Sequence, residues 1–110
     1  MENNFNDGIN LTMLTDFYEI TMANGYFETG MADNIAYFDM FFRTIPDEGG
    51  FAVMAGLEQV IHYLTDLKFT DQDIAYLRSK NSFSEEFLEY LKNFEFKCDV
   101  WAVPEGTPIF

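Results

Sequence analysis

Cations are scarce in this 110-residue chain: six Lys and Arg stand against 19 Asp and Glu, for a formal net charge of −13 at pH 7. Duplex nucleic acid is bound by clustered Lys and Arg that release counterions, and this composition excludes that class of partner. Cysteine is rarer still. Cys98 is the only one, which rules out an intramolecular disulfide and a zinc site built on thiolates, and points to a reducing cytoplasm. The opening Met1-Glu2-Asn3-Asn4 has neither the basic nor the apolar region of a secretory signal. No apolar run approaches the roughly 20 residues of a membrane helix. A soluble cytoplasmic protein with no membrane partner is expected, and repeats and low-complexity tracts are lacking too.

What the chain has in quantity is apolar and aromatic material. It is 48% hydrophobic, with 13 Phe, 6 Tyr and 1 Trp, enough buriable area for one globular domain and too much for a disordered chain. Asp16 with Glu19 has capping-box spacing and predicts a helix over 17–24, with Gly25 just past its end. Residues 35–43 and 94–103 alternate in the manner of strands, the first with Ala36, Phe38, Met40 and Phe42 on one face. Turn residues at 46–50 lead to a short strand over 51–55. Gly56 then opens a helix with the stripe Leu57, Val60, Ile61, Leu64 and Leu67. Thr70 with Asp73 caps a third helix, with Phe69 and Ile74 at staple spacing, and Ser84 caps a fourth. Pro104-Glu105-Gly106 turns the chain into a further strand from Thr107. The fold class expected is α+β: helices covering one face of a small sheet, in a single domain over 1–110. Its last strand, Thr107 to Phe110, reads as cut short from a longer chain.

Three residue types invite chemistry. Arg43 is the only Lys or Arg among the first 67 residues, where eleven carboxylates surround it. It could grip a phosphate or carboxylate in bidentate fashion, or form a structural salt bridge to Asp39 or Asp47. Four strand residues span about 13 Å, so an along-strand pair with Asp39 would be strained. His62, the sole histidine, lies four residues from both Glu58 and Asp66 on the side opposite the leucine stripe, which favours a solvated charge cluster over acid-base catalysis. Cys98 falls on an apolar strand face and reads as a small core residue. Gly49-Gly50 lacks a following Lys-Ser or Lys-Thr and is a turn, not a phosphate cradle. No catalytic constellation and no metal cluster can be assembled from these residues.

Three stretches together are more specific. Thr15-Asp16-Phe17-Tyr18-Glu19-Ile20-Thr21-Met22-Ala23-Asn24-Gly25-Tyr26, then Phe41-Phe42-Arg43 with Gly50-Phe51-Ala52-Val53-Met54-Ala55-Gly56-Leu57, and finally Val103-Pro104-Glu105-Gly106-Thr107-Pro108-Ile109-Phe110 resemble, in order, the N-terminal region of the nicotinate phosphoribosyltransferase family. The resemblance implies an enzyme of NAD salvage that joins nicotinate to 5-phosphoribosyl 1-pyrophosphate, with ATP and magnesium, giving nicotinate mononucleotide. It implies the N-terminal domain of a type II phosphoribosyltransferase, a homodimer whose active sites lie between one subunit's α/β barrel and its neighbour's N-terminal domain. Of this fold the chain lacks the barrel, so these 110 residues alone are expected to be inactive. By the same resemblance Tyr18 stacks on the pyridine ring in the neighbouring subunit's site and Arg43 approaches the phosphate or pyrophosphate end. The helix stripe alone leaves Tyr18 open to a core role, and Asp16 reads more naturally as a helix cap than as a substrate contact. Two alternatives stand beside this reading: the nicotinamide enzyme, which shares the Thr-Asp-x-Tyr pattern, and a non-catalytic acidic domain that binds a protein partner.

Overall fold

Helix α1, Phe17–Glu28, starts where the capping chemistry places it. Asp16 is its N-cap in an extended conformation, and the Asp16 N–H donates to the Glu19 carboxylate at 3.2 Å. Its end differs from expectation: the helix passes through Gly25 and continues to Glu28. Gly30, at φ +76°, takes the left-handed position instead. Met31 N–H donates to the Tyr26 carbonyl at 2.8 Å and Gly30 N–H to that of Phe27 at 3.3 Å, the paired bonds of a Schellman stop. The extra turn is favoured because it carries Phe27 to the rings of Phe87 and Tyr90, at centroid distances of 5.7 and 5.1 Å. The structure, a computed structural model, describes residues 8–110.

Helices α2 (Leu57–Thr65), α3 (Asp71–Ser79) and α4 (Glu85–Lys92) begin where predicted. Leu67 lies outside α2, beyond its C-cap Asp66. At α3, the Thr70 hydroxyl accepts from Asp73 N–H at 3.1 Å, and the Asp73 carboxylate accepts from Thr70 N–H at 2.9 Å. At α4, the Ser84 hydroxyl accepts from Phe87 N–H at 3.1 Å. These side chains meet orphan amides that would otherwise end the helices unsatisfied.

The core is made by three helices. Ile20 of α1, Ile74 and Leu77 of α3, and Phe87, Leu88 and Leu91 of α4 are buried together, with Phe69 packed at the edge as its staple spacing predicts. Helix α2 contributes no buried residue. A two-stranded antiparallel ladder pairs β1 (Ala52–Val53) with β2 (Pro108–Ile109), in register Ala52 to Ile109 and Val53 to Pro108.

The strands expected over 35–43 and 94–103 do not form. A strand needs a neighbouring backbone to satisfy its N–H and C=O groups, and among the described residues neither segment has one. Most of their side chains are therefore exposed, Tyr37 at 94%, Phe38 at 91% and Trp101 at 94%, while Phe94 and Phe96 stay half-buried. The expectation that Cys98 is a core residue fails for the same reason, since no sheet face covers it and it is exposed. The helices likewise pack on one another and not over the ladder, so the α+β class holds in content but not in the layering predicted.

Candidate functional site

Tyr18 is the second residue of α1, and its side chain is 59% exposed. The helix presents Ile20 to the core and leaves Tyr18 on its outer shoulder, so the core-tyrosine alternative is not realised. Beside it, Leu14, Thr15, Asp16 and Glu19 bound an open depression of about 410 Å³. Within this group the Thr15 hydroxyl and the Asp16 N–H both donate to the Glu19 carboxylate. That arrangement fixes the first turn of α1 and with it the base of Tyr18. Asp16 is exposed and acts as the cap, as its spacing predicts.

Arg43 lies on the connection between α1 and β1, in a bend just before a single 3₁₀ turn at Pro46–Glu48. It is exposed, and among the described residues it pairs with neither Asp39 nor Asp47. The structural salt bridge held open by the sequence is thus not formed. The turn that follows is tightly shaped: Asp47 and Glu48 both lie in the left-handed region, at φ 58° and 55°. At Gly49 an added Cβ would come within 3.3 Å of Ile45 Cγ2, so a bulkier residue would crowd the turn. No hydrogen bond joins Arg43 to Asp16 or Tyr18 among the described residues, so they stand on two separate segments, the start of α1 and the 35–45 connection.

His62 sits on α2 with its Nε2 3.9 Å from the Glu58 carboxylate, a pairing within the charge cluster its spacing predicts. Among the described residues no three His, Cys, Asp or Glu side chains come together closely enough to hold a metal ion.

One residue escaped the sequence reading. The Glu105 carboxylate accepts from Gly56 N–H at 2.7 Å and from Leu57 N–H at 3.0 Å, one oxygen to each amide. It caps α2 from 48 residues away. Alongside it, Met54 N–H donates to the Thr107 carbonyl at 2.9 Å and Gly106 N–H to the Met54 carbonyl at 2.8 Å. The stretches 50–57 and 103–110, two of the three that carry the resemblance, are therefore bound directly to each other. Spacing could not disclose this, because a Pro-Glu-Gly turn looks the same whether or not its acid reaches a distant helix.

Residues 13–110 match the family model described as the nicotinate phosphoribosyltransferase N-terminal domain. Similar curated proteins include nicotinate phosphoribosyltransferase pncB2 of Mycobacterium tuberculosis, 44% identical over 98 residues, covering 89% of this chain and 21% of that protein. The nicotinate phosphoribosyltransferase of Bacillus subtilis is 41% identical over 110 residues, covering 100% of this chain and 22% of its own length. That of Homo sapiens is 37% identical over 101 residues, covering 89% and 19%. The chain thus spans about a fifth of the length of these relatives. A match over nearly every described residue, carried by stretches that the fold itself ties together, places this chain in the nicotinate phosphoribosyltransferase family, as its N-terminal domain.

Proposed function

We propose that this domain serves an enzyme of NAD salvage that joins nicotinate to 5-phosphoribosyl 1-pyrophosphate, yielding nicotinate mononucleotide and pyrophosphate with ATP hydrolysis. In this reading the whole enzyme is a cytoplasmic type II phosphoribosyltransferase and a homodimer, and its α/β barrel holds the catalytic groups. The domain's part is to complete the neighbouring subunit's site. The observation that carries the proposal is the exposed ring of Tyr18 on a helix shoulder whose first turn is fixed by Asp16 and Glu19. An aromatic held this way offers a flat face to a pyridine ring, and such stacking contributes about 1 kcal/mol beyond area burial.

Arg43 supplies the second contact. Its guanidinium can donate in bidentate fashion to an anionic oxygen pair of the phosphoribosyl donor, with no carboxylate to displace among the described residues. Both substrates are anions, so an otherwise acidic domain needs such a point of positive charge where it meets them. The names of the relatives support nicotinate over nicotinamide as the acceptor.

The test is steady-state kinetics of the whole enzyme. Tyr18→Ala should raise the KM for nicotinate about fivefold, the loss of about 1 kcal/mol of stacking, whereas Tyr18→Phe should stay near the parent value because the ring face remains. Equal values for all three proteins would remove Tyr18 from the site. The 110-residue chain by itself should form no nicotinate mononucleotide.

A further inference from the structure

We propose that Glu105 is a positioning residue for donor binding, acting through the segment that carries Arg43; the proposal rests on the Arg43 contact described above. The route is short. Arg43 leads through the Ile45–Gly49 turn into β1, and β1 ends one residue before the Ala55–Gly56 junction with α2. The ladder that anchors this segment has only two residues per strand, too few to be stable alone. Glu105 supplies what the ladder lacks. Its two oxygens hold Gly56 and Leu57 N–H at 2.7 and 3.0 Å, so the carboxylate clamps the base of the segment to the 104–107 turn. Gly56 sits at φ +97°, a conformation that aims its N–H at the carboxylate and that other residues adopt only with strain. Tyr18 is anchored differently, by the packing of α1 on α4 through Phe27, Phe87 and Tyr90. The clamp therefore governs the donor side of the site and not the nicotinate side.

The experiment is a double-mutant cycle in the whole enzyme, measuring KM for each substrate, kcat and the unfolding midpoint. Glu105→Ala should raise the KM for 5-phosphoribosyl 1-pyrophosphate about fivefold and leave that for nicotinate within about twofold. Added to Arg43→Ala it should cause no further rise, because both changes remove one contact. Glu105→Gln preserves the shape but keeps only one acceptor, since its NH₂ faces the second amide. It should give an intermediate value and keeps the test decisive if the alanine variant folds poorly. Equal rises for both substrates, a fall in kcat alone, or effects that add to those of Arg43→Ala would overturn the proposal. A different result, Arg43→Ala matching the parent enzyme, would instead overturn the Arg43 contact itself.

Discussion

Leu77 has no exposed surface, and Phe87 and Leu88 are each 1% exposed. In so small a core each of these side chains carries a large share of the stability. Truncating Leu77 removes its transfer energy and leaves a cavity between α3 and α4, and such changes cost about 2–5 kcal/mol. Leu77→Ala should therefore unfold at markedly lower urea concentration than the parent, whereas Ser84→Ala should lose only about 1 kcal/mol, the usual worth of a cap. The ordering is the informative part. If the two variants unfold together, Leu77 is not at the centre of the core. The cap at Ser84 does double duty, because its hydroxyl accepts from Phe87 N–H and donates to Glu28 across at the end of α1.

Between elements, α3 and α4 are joined by ion pairs as well as by the core, with Lys92 3.7 Å from Asp71 and Arg78 paired to Glu85. The Arg78 guanidinium donates to Glu85 through Nε at 2.9 Å and Nη2 at 3.0 Å. The hydrogen bond to Arg78 holds the Glu85 carboxyl below its ordinary range, and the same bond raises Arg78. A depressed carboxyl stabilises the fold above its unfolded value, about pH 4.3, and that contribution is lost as pH falls through the lower folded value. The raised Arg78 acts in the opposite sense, its contribution being lost only as pH rises through its folded value, far above neutrality. Glu85→Gln should accordingly lower the melting temperature at neutral pH and low salt, and the difference should vanish once pH falls below the lowered folded value of Glu85. A difference that persists in acid would mean that Glu85 acts by packing. Helix starts were legible in the sequence: Asp16, Thr70 and Ser84 mark three of them by local cap chemistry, and Gly56 ahead of the apolar stripe marks α2. The end of α1 was not, since Phe27 had to find Phe87 before Gly30 outranked Gly25. The strands over 35–43 and 94–103 were read from a correct period but need partners that periodicity cannot supply. Of the candidate site, the isolation of Arg43 was legible in the charge pattern, the helix stripe left Tyr18 open between core and surface, and the reach of Glu105 to α2 is tertiary and left no local trace.

At the scale of the molecule, the accessible surface is 9140 Å², about one and a half times the roughly 6,300 Å² expected of a folded monomer of this mass. Exposed rings on the segments that fail to pair, among them Tyr37, Phe38, Phe41 and Trp101, contribute to it. Exposed apolar patches of this kind promote association, yet a charge of −13 opposes it. The balance should shift with salt, because the Debye length falls from about 30 Å at 0.01 M to about 10 Å at 0.1 M. Sedimentation of the isolated chain should show a monomer at low ionic strength and larger species as sodium chloride is added. A size independent of salt would mean that charge does not hold the copies apart.

Helix α2 has no buried residue, but it is tied at both ends. Glu105 holds its first amides, and beyond its last turn Lys68 N–H donates to the buried Thr12 hydroxyl at 2.9 Å while Asn10 Nδ2 donates to the Lys68 carbonyl at 2.8 Å. A helix moored at its ends and not along its length can melt without disturbing the three-helix core. Its amides then exchange with solvent through a private opening, at a rate set by two knots of hydrogen bonds instead of by global unfolding.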